Sequence, residues 1–340
     1  MDSEQRFALL LELSQDELPW ARELAIDLLP GELEGRAERA ALLLQRLRDA
    51  RAAGEVQALI LILREQTELP LDEELLRLAE HEEPDLRYQA LAALELRAND
   101  SEAFRLLLRR ALEDEDDELA SVSAQGLARL SERSALSALR ARRAHAAVGL
   151  RLHFDLARAR LGDDVSAELL EALSDTSTRF AALLAIAEFR VKAALPLCAK
   201  LSRSWFGDPF VRVAAAYAQA CLGDADGCQR LYRWAEGRSD WNTYAAERLL
   251  TLLLEETADV DPSRLHRIFE GWLFGASERL ASSAVDNLQR WASSSARALL
   301  ERASQSKALC DASVAELVRS ALLSFNGGAS PSKASEGQTQ

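Results

Sequence analysis

A chain of 340 residues can bury a large core, and a hydrophobic share of 48% excludes a wholly disordered protein. Only 15 glycines and 8 prolines leave too few turn signals for an all-β fold, whereas the abundant Ala, Leu, Arg and Glu lose little side-chain freedom in helices. The net charge of −14 excludes a nucleic-acid binder that works by neutralising phosphates, and residues 1–118, with 30 acids and 14 bases, hold −16 of it, leaving +2 for the rest.

Along the chain, apolar residues recur at three- and four-residue spacing. Arg6–Leu13, Leu18–Leu29, Ala40–Leu47 and Val56–Leu63 are the first four segments of this kind, each predicting a helix with a charged outer face. Breaks fall at Pro30-Gly31, Gly54, Leu69-Pro70, Glu83-Pro84-Asp85, Asn99-Asp100, Gly162-Asp163-Asp164, Gly207-Asp208-Pro209, Gly223-Asp224 and Asp261-Pro262. Many place an acid or Ser where a helix N-cap belongs, and several put proline in the first turn, where its missing N–H costs nothing. The pattern predicts roughly eighteen to twenty helices and no strand, with short loops folding successive helices into hairpins. Apolar runs such as Ala58–Leu63 are far too short to span a bilayer, so no membrane partner is expected. The acidic start Met-Asp-Ser-Glu-Gln-Arg is unlike a basic secretion signal, and a cytoplasmic location is expected. Cys198, Cys221, Cys228 and Cys310 lie far apart without CxxC spacing, which predicts buried free thiols.

The hairpins repeat weakly. Arg87, Arg179 and Arg212 each follow an acid by four residues (Glu83, Asp175, Asp208) and precede Ala by three and by six (Ala90 and Ala93, Ala182 and Ala185, Ala215 and Ala218). A fourth copy has Ala120 in the Arg position, Asp116 four before it, and Ser123 and Gly126 at the small positions; Asp240 opens a degenerate fifth. The acid suits a helix start, small residues three apart let the next helix approach closely, and the Arg reaches acids or free carbonyls. This signature resembles HEAT repeats, in particular the HEAT-like repeats of the phycobilisome lyase type. The resemblance implies an all-α, right-handed α-α superhelix of antiparallel hairpins. On this reading residues 1–80 are a divergent cap, 81–256 the HEAT-like repeats, 257–325 further helical repeats, and 326–340 a disordered tail.

Candidate sites are few. The run Glu113–Glu118 lacks the alternation and glycine of a calcium loop and reads as a solvated turn. From Arg129 to Arg160 eight arginines face two acids, a local reversal of charge that either neutralises the acidic run or steers an acidic partner through Arg140, Arg142, Arg143 and Arg151. Of the aromatic cluster Trp205, Phe206, Phe210, Tyr217, Tyr232, Trp234, Trp241 and Tyr244, core packing explains most, and Trp234 and Trp241 are the candidate interface anchors. His145 and His153, eight apart, have no third convergent group. No catalytic, metal or cofactor motif is present, so no cofactor is expected. The expected function is a non-enzymatic scaffold binding a protein partner, with no nucleic acid; the lyase-type resemblance implies tetrapyrrole attachment or removal on a bilin protein as the alternative. A solenoid DNA glycosylase and a structural subunit of a larger assembly are weaker alternatives.

Overall fold

The computed structural model describes residues 2–327 except 17, 34, 51–52, 65, 67–68, 205–206, 238–240 and 307–311. Among them lie twenty α-helices, two short 3₁₀ turns and no strand, in two compact units. The first, residues 1–168, holds α1 (Ser3–Leu13), α2 (Pro19–Leu33), α3 (Ala37–Asp49), α4 (Ala53–Leu63), α5 (Asp72–Leu78), α6 (Pro84–Leu96), α7 (Glu102–Leu112), α8 (Asp117–Arg129), α9 (Leu136–His145) and α10 (Val148–Arg160). Helix α11 (Ser166–Ala172) runs across the boundary. The second unit, residues 169–340, holds α12 (Arg179–Glu188), α13 (Leu195–Ser202), α14 (Pro209–Cys221), α15 (Ala225–Ala235) and α16 (Asn242–Leu254). It continues with α17 (Pro262–Leu273), α18 (Glu278–Trp291), α19 (Ser294–Gln305) and α20 (Ala312–Gly327).

Within the first unit α4 packs on α6, α6 on α8 and α8 on α10, while α5, α7 and α9 complete their hairpins. The second unit repeats this with α12, α14, α16 and α18 in one row and α13, α15 and α17 as their hairpin partners. The fold is thus all-α and HEAT-like. Every small residue of the signature is buried: Ala90, Ala93, Ser123, Gly126, Ala182, Ala185, Ala215 and Ala218. At Gly126 an added Cβ would sit 2.9 Å from a Leu108 methyl. At Gly227 it would lie 2.5 Å from Ala216 O and Ala220 N, so α15 rides directly on the backbone of α14.

The signature arginine has a local task. Arg87 donates to His81 O (3.2 Å) and Glu82 O (2.9 Å), and Arg179 to Leu173 O (2.7 Å) and Ser174 O (3.0 Å). Both close the open carbonyls behind the preceding helix of their own hairpin, which a cation complements. Arg87 also reaches forward to Asp114 of the next hairpin at 3.2 Å. The signature acid is less uniform. Asp116 and Asp208 cap α8 and α14, Glu83 makes no side-chain cap, and Asp175 closes a turn ahead of α12 by accepting from Ser177 N at 2.9 Å.

Three breaks differ from expectation. Pro30 lies inside α2, which continues to Leu33 because Leu29, Glu32 and Leu33 are buried there. Glu32 pairs with Arg6, Arg36 and Arg39, an anchorage that outweighs the lost backbone hydrogen bond. Gly54 belongs to the first turn of α4 rather than separating two helices. Helix α20 extends to Gly327, two residues into the segment expected to be a disordered tail; residues 328–340 lie outside the described residues.

Candidate functional site

The basic stretch of the first unit is knitted into ion pairs. Arg140 grips Asp163 with two hydrogen bonds (3.0 and 2.6 Å), and Arg143 holds both oxygens of Asp155 (3.1 and 3.2 Å). Arg158, itself buried, links Asp155 (2.9 Å), Asp163 (2.8 Å) and Glu168 (3.0 Å). Asp155 is only 2% exposed, and its burial pushes the carboxyl pKa up against the pull of Arg143 and Arg158. The hydrogen bonds from Arg140, aided by Arg158, hold Asp163 down at about 2. Arg142 binds Asp117 (2.8 Å) and Glu115 O (3.1 Å), and Arg151 donates to Ala146 O (3.2 Å). Arg142 thus meets the acidic run, whereas Arg140, Arg143 and Arg158 serve Asp155, Asp163 and Glu168, and Arg129 pairs with Glu95 at 2.9 Å.

Neither histidine of this region converges on a site. His145 ends α9 and is exposed, whereas His153 lies on α10 with Nδ1 2.6 Å from Ser121 Oγ and its pKa lowered by burial. Being on different helices, they share no helical face. Cys198, Cys221 and Cys228 are buried free thiols, and burial lifts Cys198 and Cys228 to about 11, which keeps them protonated and unreactive; Cys310 lies outside the described residues.

The second unit gathers rings and guanidiniums on the α12, α14 and α16 row. Phe210, 51% exposed, meets Tyr244 edge-on with ring centres 5.6 Å apart, and Phe180 lies 6.2 Å from the same ring. The Arg248 guanidinium sits over Tyr244 at 4.6 Å and Tyr217 at 5.4 Å, and it has no carboxylate partner among the described residues. Among the described residues Arg248 Nε is buried without a hydrogen-bond partner. Beside them opens a cavity of about 350 Å³ whose lining includes Arg190, Tyr217, Cys221, Arg248, Glu255 and Thr257.

Of the two tryptophans picked from sequence, Trp234 is half-buried beneath the Arg212 guanidinium (5.4 Å), and Trp241 is half-buried at the N-cap of α16. Tyr232 and Trp272 are core residues, Tyr232 donating to Asp261 O at 3.1 Å. Trp205 and Phe206 lie outside the described residues. Sequence reasoning passed over Phe180 and Arg248. A signal for the second existed: Tyr244 stands in the Arg position of the degenerate copy opened by Asp240, and Arg248 follows it by one helical turn.

The class these features define is an all-α protein of HEAT-like hairpins that offers side chains along its rows of helices. No protein-family model matches the chain, and no curated protein does. Among solved structures it is similar to the complex of CpcE and CpcF of phycocyanin lyase from Nostoc sp. PCC7120, at 17% identity and a TM-score of 0.37, covering 84% of this chain and 94% of that one. At this identity and TM-score the likeness transfers no activity. It does correct one expectation. The similar structure is a lyase complex, so a lack of recognisable catalytic motifs does not assign this chain to the non-enzymes.

Proposed function

We propose that the chain works by docking a protein partner on the α12, α14 and α16 row, as one component of a larger assembly. The observation that carries this reading is Arg248, a guanidinium stacked on two tyrosines without an acid of its own, next to the half-exposed Phe210. Rings and arginines of this kind supply most of the energy at interfaces, and an unpaired guanidinium favours an acidic side chain on the partner. Arg140, Arg142, Arg143 and Arg151 each already have an acid or a carbonyl within the chain, so the proposal rests on Arg248 instead. Trp234, under Arg212, is a second ring–guanidinium pair of the same kind. The test is crosslinking capture from native lysate with wild type and with Phe210→Ala/Arg248→Glu. Loss of a specific partner from the variant is the expected result, and an unchanged set of partners would refute the assignment.

A second reading is favoured by the repeat signature at Asp175, Arg179, Ala182 and Ala185, which resembles that of the phycobilisome lyase type: a component that attaches or removes a tetrapyrrole on a bilin protein. Mixing the chain with a free bilin and recording the visible spectrum tests it. A shifted absorption band supports this reading, and an unaltered spectrum counts against it.

A further inference from the structure

Helix α2 has two apolar stripes, and the fold uses only one. Ala21, Ala25, Leu29 and Leu33 recur every four residues and are all buried, which docks the helix on α1, α3 and α4. One position round the helix, Trp20, Leu24 and Leu28 form a second four-residue stripe that is 59%, 41% and 50% exposed. Leu18 just ahead of it is 51% exposed. Two acids, Glu23 and Asp27, stand between these side chains on the same exposed face, and neither makes a hydrogen bond or an ion pair among the described residues. A large exposed ring with two leucines adds nothing to this unit's core, and such clusters mark contact surfaces.

We propose that this outer face of α2 docks an amphipathic helix whose apolar stripe is flanked by Lys or Arg. The charge selects the occupant. Glu23 and Asp27 would form ion pairs with a basic flank, and the excess of acids in residues 1–118 (30 acids against 14 bases) draws such a segment in over longer range. A second copy of this chain paired through the same face would set these acids against each other, and an anionic membrane surface would be repelled in the same way. The spacing also fits. Three anchors at i, i+4 and i+8 span about 12 Å along the axis, the contact length of a helix laid alongside. This surface lies in the other unit from the face proposed above and takes a partner of opposite charge, so either reading can fail without the other.

The experiment uses the full chain and two labelled peptides of about 18 residues with the same leucine stripe, one flanked by Lys and one by Glu. Fluorescence anisotropy is followed for wild type, Trp20→Ala/Leu24→Ala and Glu23→Lys/Asp27→Lys, after circular dichroism has shown all three equally folded. The expected result is binding of the Lys peptide by wild type, weakened about tenfold or more in both variants, with the Glu peptide gaining affinity only for the charge-reversed one. Failure of wild type to bind the Lys peptide, or equal binding by wild type and Trp20→Ala/Leu24→Ala, overturns the proposal. So does concentration-dependent self-association of wild type that the same double variant abolishes, which would make the occupant a second copy.

Discussion

The two units are built from different side chains on one helical plan. Residues 1–168 hold 35 acids and 22 bases, net −13, and five of the twenty aromatic residues. Residues 169–340 hold the other 20 acids and 19 bases, net −1, and fifteen aromatics. The first unit is tied by ion pairs within and between hairpins, Arg97–Asp72 closing one, Arg87–Asp114 joining two, and the Asp155–Arg158–Asp163 network holding the end of α10. In the second, ion pairs are joined by guanidiniums over rings: Arg264 over Tyr232 and Arg302 over Phe274 also pair with Glu236 and Glu270, whereas Arg212 over Trp234 and Arg248 over Tyr217 and Tyr244 have no carboxylate partner among the described residues. An ion pair consumes both charges, whereas a guanidinium on a ring keeps its charge available. That difference is why the docking proposal rests on Arg248 although the densest run of arginine is in the first unit.

The largest expected effect breaks the ionic side of this contrast. Asp155→Ala leaves Arg143 and the buried Arg158 short of a carboxylate, and removal of one partner from a buried network costs about 3–5 kcal/mol. Urea unfolding measures it, and a loss well under 1 kcal/mol would show that the network is not what holds α9 and α10 together. Next comes the close-packed side. Gly227→Ala drives a methyl into the backbone of α14, and overpacking of this kind costs about 1–3 kcal/mol. A variant as stable as wild type in the same assay would mean that α15 can lift off α14 freely. The smallest effect is one of pH. Because the folded pKa of Asp163 is about 2, below the ordinary carboxylate value, its stabilisation is complete above pH ~4 and is lost as pH falls from ~4 towards ~2. Asp163→Asn is therefore expected to be less stable at neutral pH, by about 1 kcal/mol, and to have a flatter acid limb in thermal melts. An acid limb as steep as that of wild type would contradict the role of Arg140 and Arg158.

The hairpins were legible because their cause is local. Small residues at plus three and plus six from the arginine are small in order to be buried, and all eight in the four copies are. Proline in a first turn likewise marked the starts of α6, α14 and α17. Pro30 misled because the burial of Leu29, Glu32 and Leu33 is a tertiary fact that overrides a local preference. The basic stretch misled in a different way. Counting charge along the chain shows an excess of arginine, but Arg140 and Arg143 meet Asp163 and Asp155 only after α10 folds back on α9. Arg248 was only partly legible: its place one turn after Tyr244 in the degenerate copy is local, but its approach to Tyr217 on α14 is a tertiary contact.

The account turns on which arginine is free to meet a partner. The deciding measurement is the dissociation constant of the partner captured by wild type, compared across Arg248→Glu and Arg140→Glu/Arg142→Glu by surface plasmon resonance at two salt concentrations. The expected result is a loss of about tenfold or more for Arg248→Glu and little change for the pair of substitutions in the first unit. The reverse order, with Arg248→Glu binding as well as wild type, would contradict the account.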